Sequence, residues 1–381
     1  MTRFLAWAIA LNGIISTATL AAEPAQSDAQ VRNVDGGMNA DRLQFHNAGA
    51  FVVEGRGWSD GERHFDRLPP KAKAMVRPRI WNLAGNTAGV CVRFVTDATE
   101  IHARWTVTSD ELGMNHMPAA GVSGVDLYVK DAGDWRRLGT GVPEGKENLA
   151  QLASGLSAQR REYLLYLPLY NGIASLEIGV ESNATIEPAE RRPPDRAKPI
   201  VFYGTSITQG GCASRPGMCH VAILGRRFDR PVINLGFTSN GTMDSELAVL
   251  LGEIDAAAYV IDCVPNMSAD MIAQRAVPFI EQLHSLRPKT PILLVEDRTF
   301  ADTFLSSIRQ AEHAELRQAL RSAYNELQAR GDVRLEYVEG DGLLDQAGEG
   351  SVDGSHPTDL GFVHIADRLE APIARMLSAQ Q

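Results

Sequence analysis

The pattern of apolar and polar residues changes about half-way along the chain. Up to about residue 185, short apolar–polar alternations are separated by turn sequences, as in AGVCVRFVTDATEIHARWTV and SGVDLYVKDAGDWRRLGTG. The segment REYLLYLPLYNGIASLEIGV adds two further runs of this kind, and no long amphipathic helix interrupts the series. Short, regularly spaced strands with turn signals predict an all-β sandwich over residues 40–185.

From Pro199 onward, apolar runs alternate with segments of helical periodicity. The predicted strands are residues 200–203, 232–235, 259–261, 292–295 and a weaker run at 333–338. Segments such as SADMIAQRAVPFIEQLHSLRP lie between them, and a helical pattern in DLGFVHIADRLEAPIARMLSA follows the last strand. This alternation predicts an α/β domain over residues 199–381, with a parallel sheet and helices on both faces. The polar, proline-rich residues 186–198 are the predicted linker.

The first thirty residues have the order of a secretory signal: a basic residue, an apolar run, small residues and a polar stretch. This order predicts cleavage near Ala21 or Ala22, removal of residues 1–22, and a secreted or periplasmic protein. A membrane anchor is the alternative. The apolar run is broken by Asn12 and Gly13, is short for a span and lacks a basic stop-transfer flank, so no stable membrane insertion is expected.

Composition and charge narrow the class of partner. The chain has 381 residues, 44% of them hydrophobic, and a formal net charge of -10. The negative charge disfavours nucleic acid and anionic membrane surfaces as main partners. Four cysteines, Cys91, Cys212, Cys219 and Cys263, match no zinc-site spacing, and no metal or cofactor is expected. Their pairing stays open between a Cys212–Cys219 bridge and four free thiols.

The loops that follow the predicted strands contain residues suited to acyl transfer. In open α/β sheets, ligand sites form beyond the carboxyl ends of the strands, which here carry GTSITQG, NLGFTSNG, DCVPNM, EDRTF and VDGSHPTD. Ser206 is the candidate nucleophile, His356 its general base, and Asp353 the carboxylate that orients the imidazole. The Ser206 N–H, the N–H of a small residue in FTSNG and the Asn266 amide are candidate donors to an oxyanion.

Each of these residues also has an ordinary structural explanation. A serine after a strand is usually a helix cap, and an asparagine in PNM or the sequence DGSHP is usually part of a turn. Their occurrence in order along one predicted sheet edge favours the catalytic interpretation. Glu296, Asp297 and Arg298 lie at the same edge, where they either touch substrate or form a solvated helix entry.

The blocks GTSITQG, NLGFTSNG, PNM and DGSHPTDLGF resemble, in this order, the sequence blocks of the SGNH hydrolases, also called GDSL-type esterases. The resemblance covers about residues 198–378. It implies a flavodoxin-like α/β/α sandwich that hydrolyses esters with a Ser-His-Asp triad. The sequence GTS replaces the more familiar Gly-Asp-Ser of the family.

Matched by position, the resemblance makes Ser206, His356 and Asp353 the triad. It makes the N–H of Ser206, the N–H of Ser239 and the side chain of Asn266 the oxyanion hole. Ser239 stands where the family has a glycine, so the conformational freedom of glycine is lost at that position.

The segment SGVDLYV, residues 123–129, resembles the signature of a GxDLY-type, jelly-roll-like β-sandwich domain that precedes SGNH domains of this subtype. Two-domain SGNH enzymes of similar layout include acetylesterases that act on plant polysaccharides. By analogy, we expect a serine esterase that removes acetyl groups from an acetylated oligo- or polysaccharide. The alternatives are a lipase or thioesterase for longer acyl chains and a non-catalytic carbohydrate-binding protein. Residues 111–121, ELGMNHMPAAG, either reach the site or form a plain sandwich loop.

Overall fold

The computed structural model describes residues 42–332 and 334–379. The predicted signal peptide lies outside these residues. Within the described ranges, none of the helices combines the length and the apolar character that a membrane span requires.

The first half of the described chain is built from antiparallel strands, two short α-helices, and 3-10 helices at Ala48–Ala50 and Pro70–Ala74. The strands are β1 (Leu43–Asn47), β2 (Val52–Glu54), β3 (Cys91–Thr96), β4 (Ile101–Val107), β5 (Val125–Asp131), β6 (Asp134–Gly141), β7 (Glu147–Ala153), β8 (Arg161–Tyr166), β9 (Ile173–Glu181) and β10 (Ile186–Pro188), and the helices are α1 (Pro78–Ala84) and α2 (Ala119–Val122). One sheet has the order β1-β9-β4-β7, and the other has the order β10-β3-β8-β5-β6 with β2 beside β3. The predicted sandwich is therefore confirmed.

Strand β4 shows how the sequence alternation builds this sandwich. Ile101, Ala103 and Trp105 are completely buried in a core formed by residues of both sheets. Arg104, between them in sequence, is exposed on the other face. The indole N–H of Trp105 donates to the Ser123 carbonyl at 3.1 Å, so the polar atom of this large side chain is satisfied inside the core.

The second half is an α/β/α unit around a parallel sheet. Its elements are α3 (Pro194–Ala197), β11 (Ile200–Gly204), α4 (Ser206–Gln209), α5 (His220–Arg227), β12 (Val232–Gly236), α6 (Ser245–Gly252), β13 (Ala258–Asp262), α7 (Ala269–Leu286), β14 (Ile292–Val295), α8 (Ser307–Ala329), β15 (Leu335–Val338) and α9 (Asp359–Ser378). The strand order is β12-β11-β13-β14-β15, and every neighbouring pair is parallel. This is the flavodoxin-like order, so the predicted fold is confirmed.

Strand β11 lies between the two helical layers and is buried on both faces. Val201 and Tyr203 pack in a cluster with residues of α6, α7 and α8. Ile200 and Phe202 pack in a second cluster with residues of α5 and α9. The carboxyl end of this strand is therefore held rigidly by packing on both faces, as a residue that positions a functional group requires.

The segment between β2 and β3 packs against the α/β sheet. Leu68, Ile80 and Leu83 join the apolar cluster that contains Tyr203 and Phe237. The alternation pattern placed residues 40–185 in the sandwich and did not indicate this packing. The core of the α/β half is thus completed by residues that precede most of the sandwich in sequence.

All four cysteines are free and buried. Of the two alternatives that the sequence left open, a Cys212–Cys219 disulfide and four free thiols, the structure has the free thiols. Burial raises the pKa of the Cys219 thiol to about 12, which keeps it protonated and unreactive near neutral pH.

Candidate active site

Ser206 is placed by the junction between β11 and α4. The strand ends at Gly204, and Ser206 is the first residue of α4. Thr205 is the helix N-cap, and its hydroxyl accepts from the Ile207 N–H at 3.3 Å. Ser206 is only 9% exposed. A buried strand that turns at once into a capped helix fixes the serine backbone at the carboxyl edge of the sheet.

Ser206, His356 and Asp353 form a continuous chain of hydrogen bonds. The Ser206 Oγ lies 2.9 Å from His356 Nε2, and His356 Nδ1 lies 2.8 Å from Asp353 Oδ2. A carboxylate partner at Nδ1 favours the tautomer in which Nδ1 carries the proton. Nε2 is then an acceptor facing the serine hydroxyl, which is the geometry of a general base.

The loop before α9 holds Asp353 and His356 at the correct separation. Asp353 Oδ1 accepts from the backbone N–H groups of Ser355 at 3.0 Å and of His356 at 2.7 Å. Burial raises the pKa of Asp353, but these bonds and the imidazole outweigh it and hold the pKa below its ordinary value. The carboxylate is therefore ionised at neutral pH and available to stabilise an imidazolium.

Ser239 and Asn266 lie on the loops that follow β12 and β13, the two strands on either side of β11. Ser239 has a φ of 57°, a left-handed conformation in which glycine would be unstrained. The Asn266 Oδ1 is buried and has no hydrogen-bond partner among the described residues. Within the described chain, neither residue is hydrogen-bonded to the side chain of Ser206, His356 or Asp353.

The sandwich half contributes a residue that the sequence did not indicate. Tyr170 follows β8, and its hydroxyl donates to the Ser206 carbonyl at 3.1 Å. The same hydroxyl accepts from Thr238 Oγ1 at 2.9 Å. Burial raises the pKa of Tyr170 well above its ordinary value, so the phenol remains a donor. Tyr170 thereby joins the Ser206 backbone to the loop of Ser239, although its sequence context, PLYNG, indicates only a turn.

Arg67 and Arg77, from the segment between β2 and β3, hold the two ends of the Ser239 loop. Arg67 is 1% exposed and donates from Nη1 to the carbonyls of Asn234 at 3.0 Å and Gly236 at 2.8 Å. Burial lowers the pKa of Arg67 to about 9. Arg77 donates to Asn240 Oδ1 at 2.7 Å and also bonds residues 242 and 244. The sequence shows these arginines but not their distant partners.

Glu296, Asp297 and Arg298 are between 3% and 5% exposed, so the solvated helix entry considered from the sequence is wrong. Arg298 donates from Nε to the Ser355 carbonyl at 3.0 Å and also bonds the Ser355 hydroxyl and the Asp297 carboxylate. This contact falls on the residue directly before His356. The buried arginine thus supports the loop that carries His356.

Residues 111–121 pack against the segment that follows Ser206. Met117 is 1% exposed and belongs to the same apolar cluster as Ile207 and Ala213. Gly121 lies so close to the Ala213 carbonyl that a Cβ there would come within 2.2 Å of it. The loop therefore supports the segment after Ser206 by packing.

Comparison with known families agrees with this geometry. The profile of the GDSL-like Lipase/Acylhydrolase family matches residues 197–374, and the GxDLY profile, the N-terminus of SGNH-hydrolase-type esterases, matches residues 43–186. A solved structure from Bacteroides ovatus ATCC 8483, assigned to the GDSL-like lipases, is 33% identical, with 88% of this chain and 98% of that chain covered and a TM-score of 0.83. The chain belongs to the GDSL-like lipase/acylhydrolase family. This GDSL-family protein is accordingly an enzyme of the esterase class.

Other solved structures share the fold at lower identity. The salicylyl-acyltransferase SsfX3 from a tetracycline biosynthetic pathway is 18% identical, with 88% and 95% of the two chains covered and a TM-score of 0.65. A family two carbohydrate esterase from Clostridium thermocellum, in complex with cellohexaose, is 15% identical, with 76% and 93% covered and a TM-score of 0.54. At these identities the likeness is one of fold. No curated protein matches the sequence of this GDSL-family esterase.

Proposed function

We propose that this enzyme hydrolyses short-chain acyl esters, chiefly O-acetyl esters of a carbohydrate, through an acyl-enzyme on Ser206. The observation that carries the proposal is the unbroken hydrogen-bond chain from Asp353 through His356 to the Ser206 hydroxyl. A serine hydroxyl is a weak nucleophile until a base accepts its proton, and the base here already lies at hydrogen-bond distance.

In the acylation half of the proposed reaction, Ser206 Oγ attacks the ester carbonyl carbon while His356 Nε2 takes the hydroxyl proton. The carbonyl electron pair moves to the oxygen, where the N–H groups of Ser206 and Ser239 and the Asn266 amide stabilise the charge. The ester C–O bond then breaks, and the imidazolium gives its proton to the departing sugar oxygen. Asp353 stabilises the imidazolium throughout.

In the deacylation half, water takes the place of the alcohol. His356 accepts a proton from the water, whose oxygen attacks the acyl carbon, and the acyl–Oγ bond breaks as the proton returns to Ser206. The products are the carboxylic acid and the regenerated enzyme. Every step uses side chains of this chain and no other reagent.

Two observations support a small acyl group on a polar alcohol. The Tyr170 hydroxyl bonds the Ser206 carbonyl, and the Thr238 hydroxyl bonds that of Tyr170, so polar groups lie on this side of the Ser206 backbone. The fold is also that of a carbohydrate esterase whose structure contains cellohexaose. A polymeric sugar substrate would require export, which the sequence predicts from residues 1–22.

A second candidate, hydrolysis of longer acyl chains, is favoured by one specific observation. Phe304, Leu305 and Ile308 are 74%, 81% and 73% exposed. Their segment is joined to the catalytic loop, because the Ala301 N–H donates to the Gly354 carbonyl at 3.0 Å. Apolar side chains beside the loop of the base are available to contact an extended acyl chain.

The test compares hydrolysis of an aryl acetate, an aryl octanoate and an acetylated polysaccharide by the wild type and by Ser206→Ala. Ser182→Ala, at an exposed position of the sandwich, is the matched control. We expect serine-dependent release from the aryl acetate and of acetate from the polysaccharide. A higher kcat/KM for the octanoate would favour the second candidate, and full activity in Ser206→Ala would refute the proposed mechanism.

A further inference from the structure

Asp126, in the GxDLY signature of the sandwich, contacts the loop that follows the nucleophile. Asp126 lies on β5 and is completely buried. Its Oδ2 accepts from Arg215 Nη1 at 2.5 Å and from the Gly217 N–H at 3.0 Å, and its Oδ1 accepts from Thr140 Oγ1 at 2.8 Å. Two of these three donors belong to the α/β half. The carboxylate therefore holds the loop from outside the catalytic domain.

Tyr128, two residues further along the signature, holds the same arginine. Its hydroxyl accepts from Arg215 Nη1 at 2.6 Å, and the Arg226 guanidinium carbon lies 4.1 Å from the centroid of its ring. Tyr128 is 3% exposed. The position of Arg215 is thus determined by two signature residues, both inaccessible to solvent.

The loop between α4 and α5, residues 210–219, reaches the base at its other end. We call it the nucleophile loop. A Cβ on Gly211 would lie 3.5 Å from His356 Cδ2, so the loop backbone lies against the imidazole ring. The Gly211 N–H donates to the Ser206 carbonyl at 2.8 Å. The same stretch of chain therefore contacts both the nucleophile and the base.

A second contact ties the nucleophile loop to the segment that follows His356. The Ser214 N–H donates to Asp359 Oδ1 at 2.9 Å, and the Ser214 hydroxyl donates to Asp359 Oδ2 at 2.5 Å. Asp359 is the first residue of α9, three residues after the base. Ser214 directly precedes Arg215, so a shift of the arginine would be transmitted to both sides of the imidazole.

We propose that Asp126 and Arg215 are a positioning pair, through which the GxDLY signature of the sandwich sets the His356–Ser206 distance without touching substrate. The proposal rests on the proposed triad. Cys212, inside the nucleophile loop, has a φ of 74°, a conformation that a non-glycine residue adopts only when its surroundings impose it. Asp126 holds Arg215, three residues further along the loop, from the sandwich side.

The matched control is Arg192, which also forms a buried ion pair across the two halves. Its side chain is 8% exposed and bonds Glu54 at 2.8 Å and Asp229 at 3.0 Å. Asp229 follows α5, and among the described residues neither Arg192 nor its two carboxylate partners is hydrogen-bonded to the nucleophile loop. Loss of Arg192 therefore tests interface stability alone.

The experiment compares the wild type with Asp126→Asn, Arg215→Gln, the double variant and Arg192→Gln. The thermal midpoint of each protein is measured first, and kcat and KM are then measured at a temperature well below the lowest midpoint. We expect kcat for an aryl acetate to fall by about tenfold or more in Asp126→Asn and Arg215→Gln, because small misplacements of reacting groups are costly. KM should change by less than about twofold, and the double variant should be no worse than the poorer single variant, as expected of residues that act as a unit. Arg192→Gln should lower the midpoint and leave kcat unchanged.

Ser214→Ala keeps the buried carboxylate intact and serves if the Asp126 variant does not fold. It removes only the hydroxyl bond to Asp359, and we expect a smaller fall in kcat, about threefold, with the KM of the wild type. Unchanged kcat in the folded positioning variants, or an equal fall in Arg192→Gln, would overturn the proposal. A fully active Ser206→Ala would instead refute the proposed triad, so the two failures are distinguishable.

Discussion

A single carboxylate sets the position and the favoured tautomer of the His356 imidazole. Asp353 Oδ1 accepts from the His356 backbone N–H at 2.7 Å, and Asp353 Oδ2 lies 2.8 Å from His356 Nδ1. The first contact fixes the distance of the two residues along the chain, and the second selects the tautomer. A separation of three residues therefore suffices to place the proposed base beside the carboxylate that orients it, as the DGSH motif predicts.

Replacing that carboxylate with an amide should leave the fold intact and disable the base. We predict that Asp353→Asn lowers kcat by about three to four orders of magnitude with little change in KM, because the amide stabilises the wrong tautomer and no longer balances the imidazolium. Steady-state hydrolysis of an aryl acetate measures this. Asp131→Asn, which removes an exposed ion pair with Arg136, is the control. A loss below about tenfold would contradict the role assigned to Asp353.

The backbone conformation of Ser239 is less favourable in free energy for serine than it would be for glycine. Its φ of 57° is left-handed, and this costs a non-glycine residue about 1 kcal/mol. We predict that Ser239→Gly raises the thermal midpoint by about 1 °C, since the greater freedom of glycine in the unfolded chain offsets part of the gain. Because the N–H remains, kcat should stay within about twofold.

Calorimetry and steady-state kinetics check this prediction together. Ser182→Gly is the matched control, because Ser182 is exposed and does not have a positive φ. That variant should be neutral or slightly destabilised. A lower midpoint for Ser239→Gly would show that the serine side chain stabilises the loop.

At the scale of elements, the periodicity of apolar residues and the order of segments along the chain predict the strands and the loops that follow them. Apolar runs located the five parallel strands, and the loops after them located Ser206, Asn266 and the Asp353–His356 pair. The periodicity of apolar residues indicates that a residue is buried, but it does not indicate which part of the protein covers that residue. Leu68 and Ile80 pack on the α/β sheet, and Tyr170 crosses from the sandwich to the Ser206 carbonyl. These contacts join distant parts of the chain, and no local pattern encodes them.

The same limit applied to the charged run after β14. From sequence, Glu296, Asp297 and Arg298 were compatible with a solvated helix entry, because charged residues are usually exposed. The structure buries all three. Arg298 pairs with Asp297, and Glu296 pairs with Arg317 of α8. Arg298 also donates to the Ser355 carbonyl in the loop of His356. Local sequence cannot show such a tertiary network.

The end of β13 should make stability depend on pH. Burial raises the pKa of Asp262 to about 7, although the Thr208 hydroxyl donates to it at 2.9 Å. A carboxyl with a higher pKa in the folded protein than in the unfolded chain binds protons preferentially in the folded state. Stability from this group therefore falls as the pH rises from about 4 to about 7.

We predict that Asp262→Asn stabilises the protein more at pH 8 than at pH 5, by about 2 to 3 kcal/mol in the free energy of unfolding. The amide can still accept from Thr208 and carries no charge at either pH. Urea unfolding at the two pH values measures the difference. An equal effect at both pH values would show that the Asp262 carboxyl is not perturbed.

At the scale of the whole molecule, the two halves share their interior. Leu68, Ile80 and Leu83 complete the α/β core from the sequence before β3. Arg67 and Arg77 bond the loop after β12. The α/β half alone would expose the apolar surface that this segment covers.

We predict a single cooperative unfolding transition for the described chain, with equal calorimetric and van't Hoff enthalpies. Residues 197–381 expressed alone should lack that transition and bind a hydrophobic dye. Differential scanning calorimetry of both proteins is the measurement. Two resolved transitions in the full protein, or a stable isolated α/β half, would contradict the shared interior.

The most direct test of the central claim is covalent labelling with a fluorophosphonate, followed by peptide mapping by mass spectrometry. An activated serine displaces fluoride from phosphorus and keeps the adduct. The account predicts one adduct, on Ser206, which is absent in Ser206→Ala and forms far more slowly in His356→Ala. Labelling of another residue, or equal labelling rates with and without His356, would contradict it.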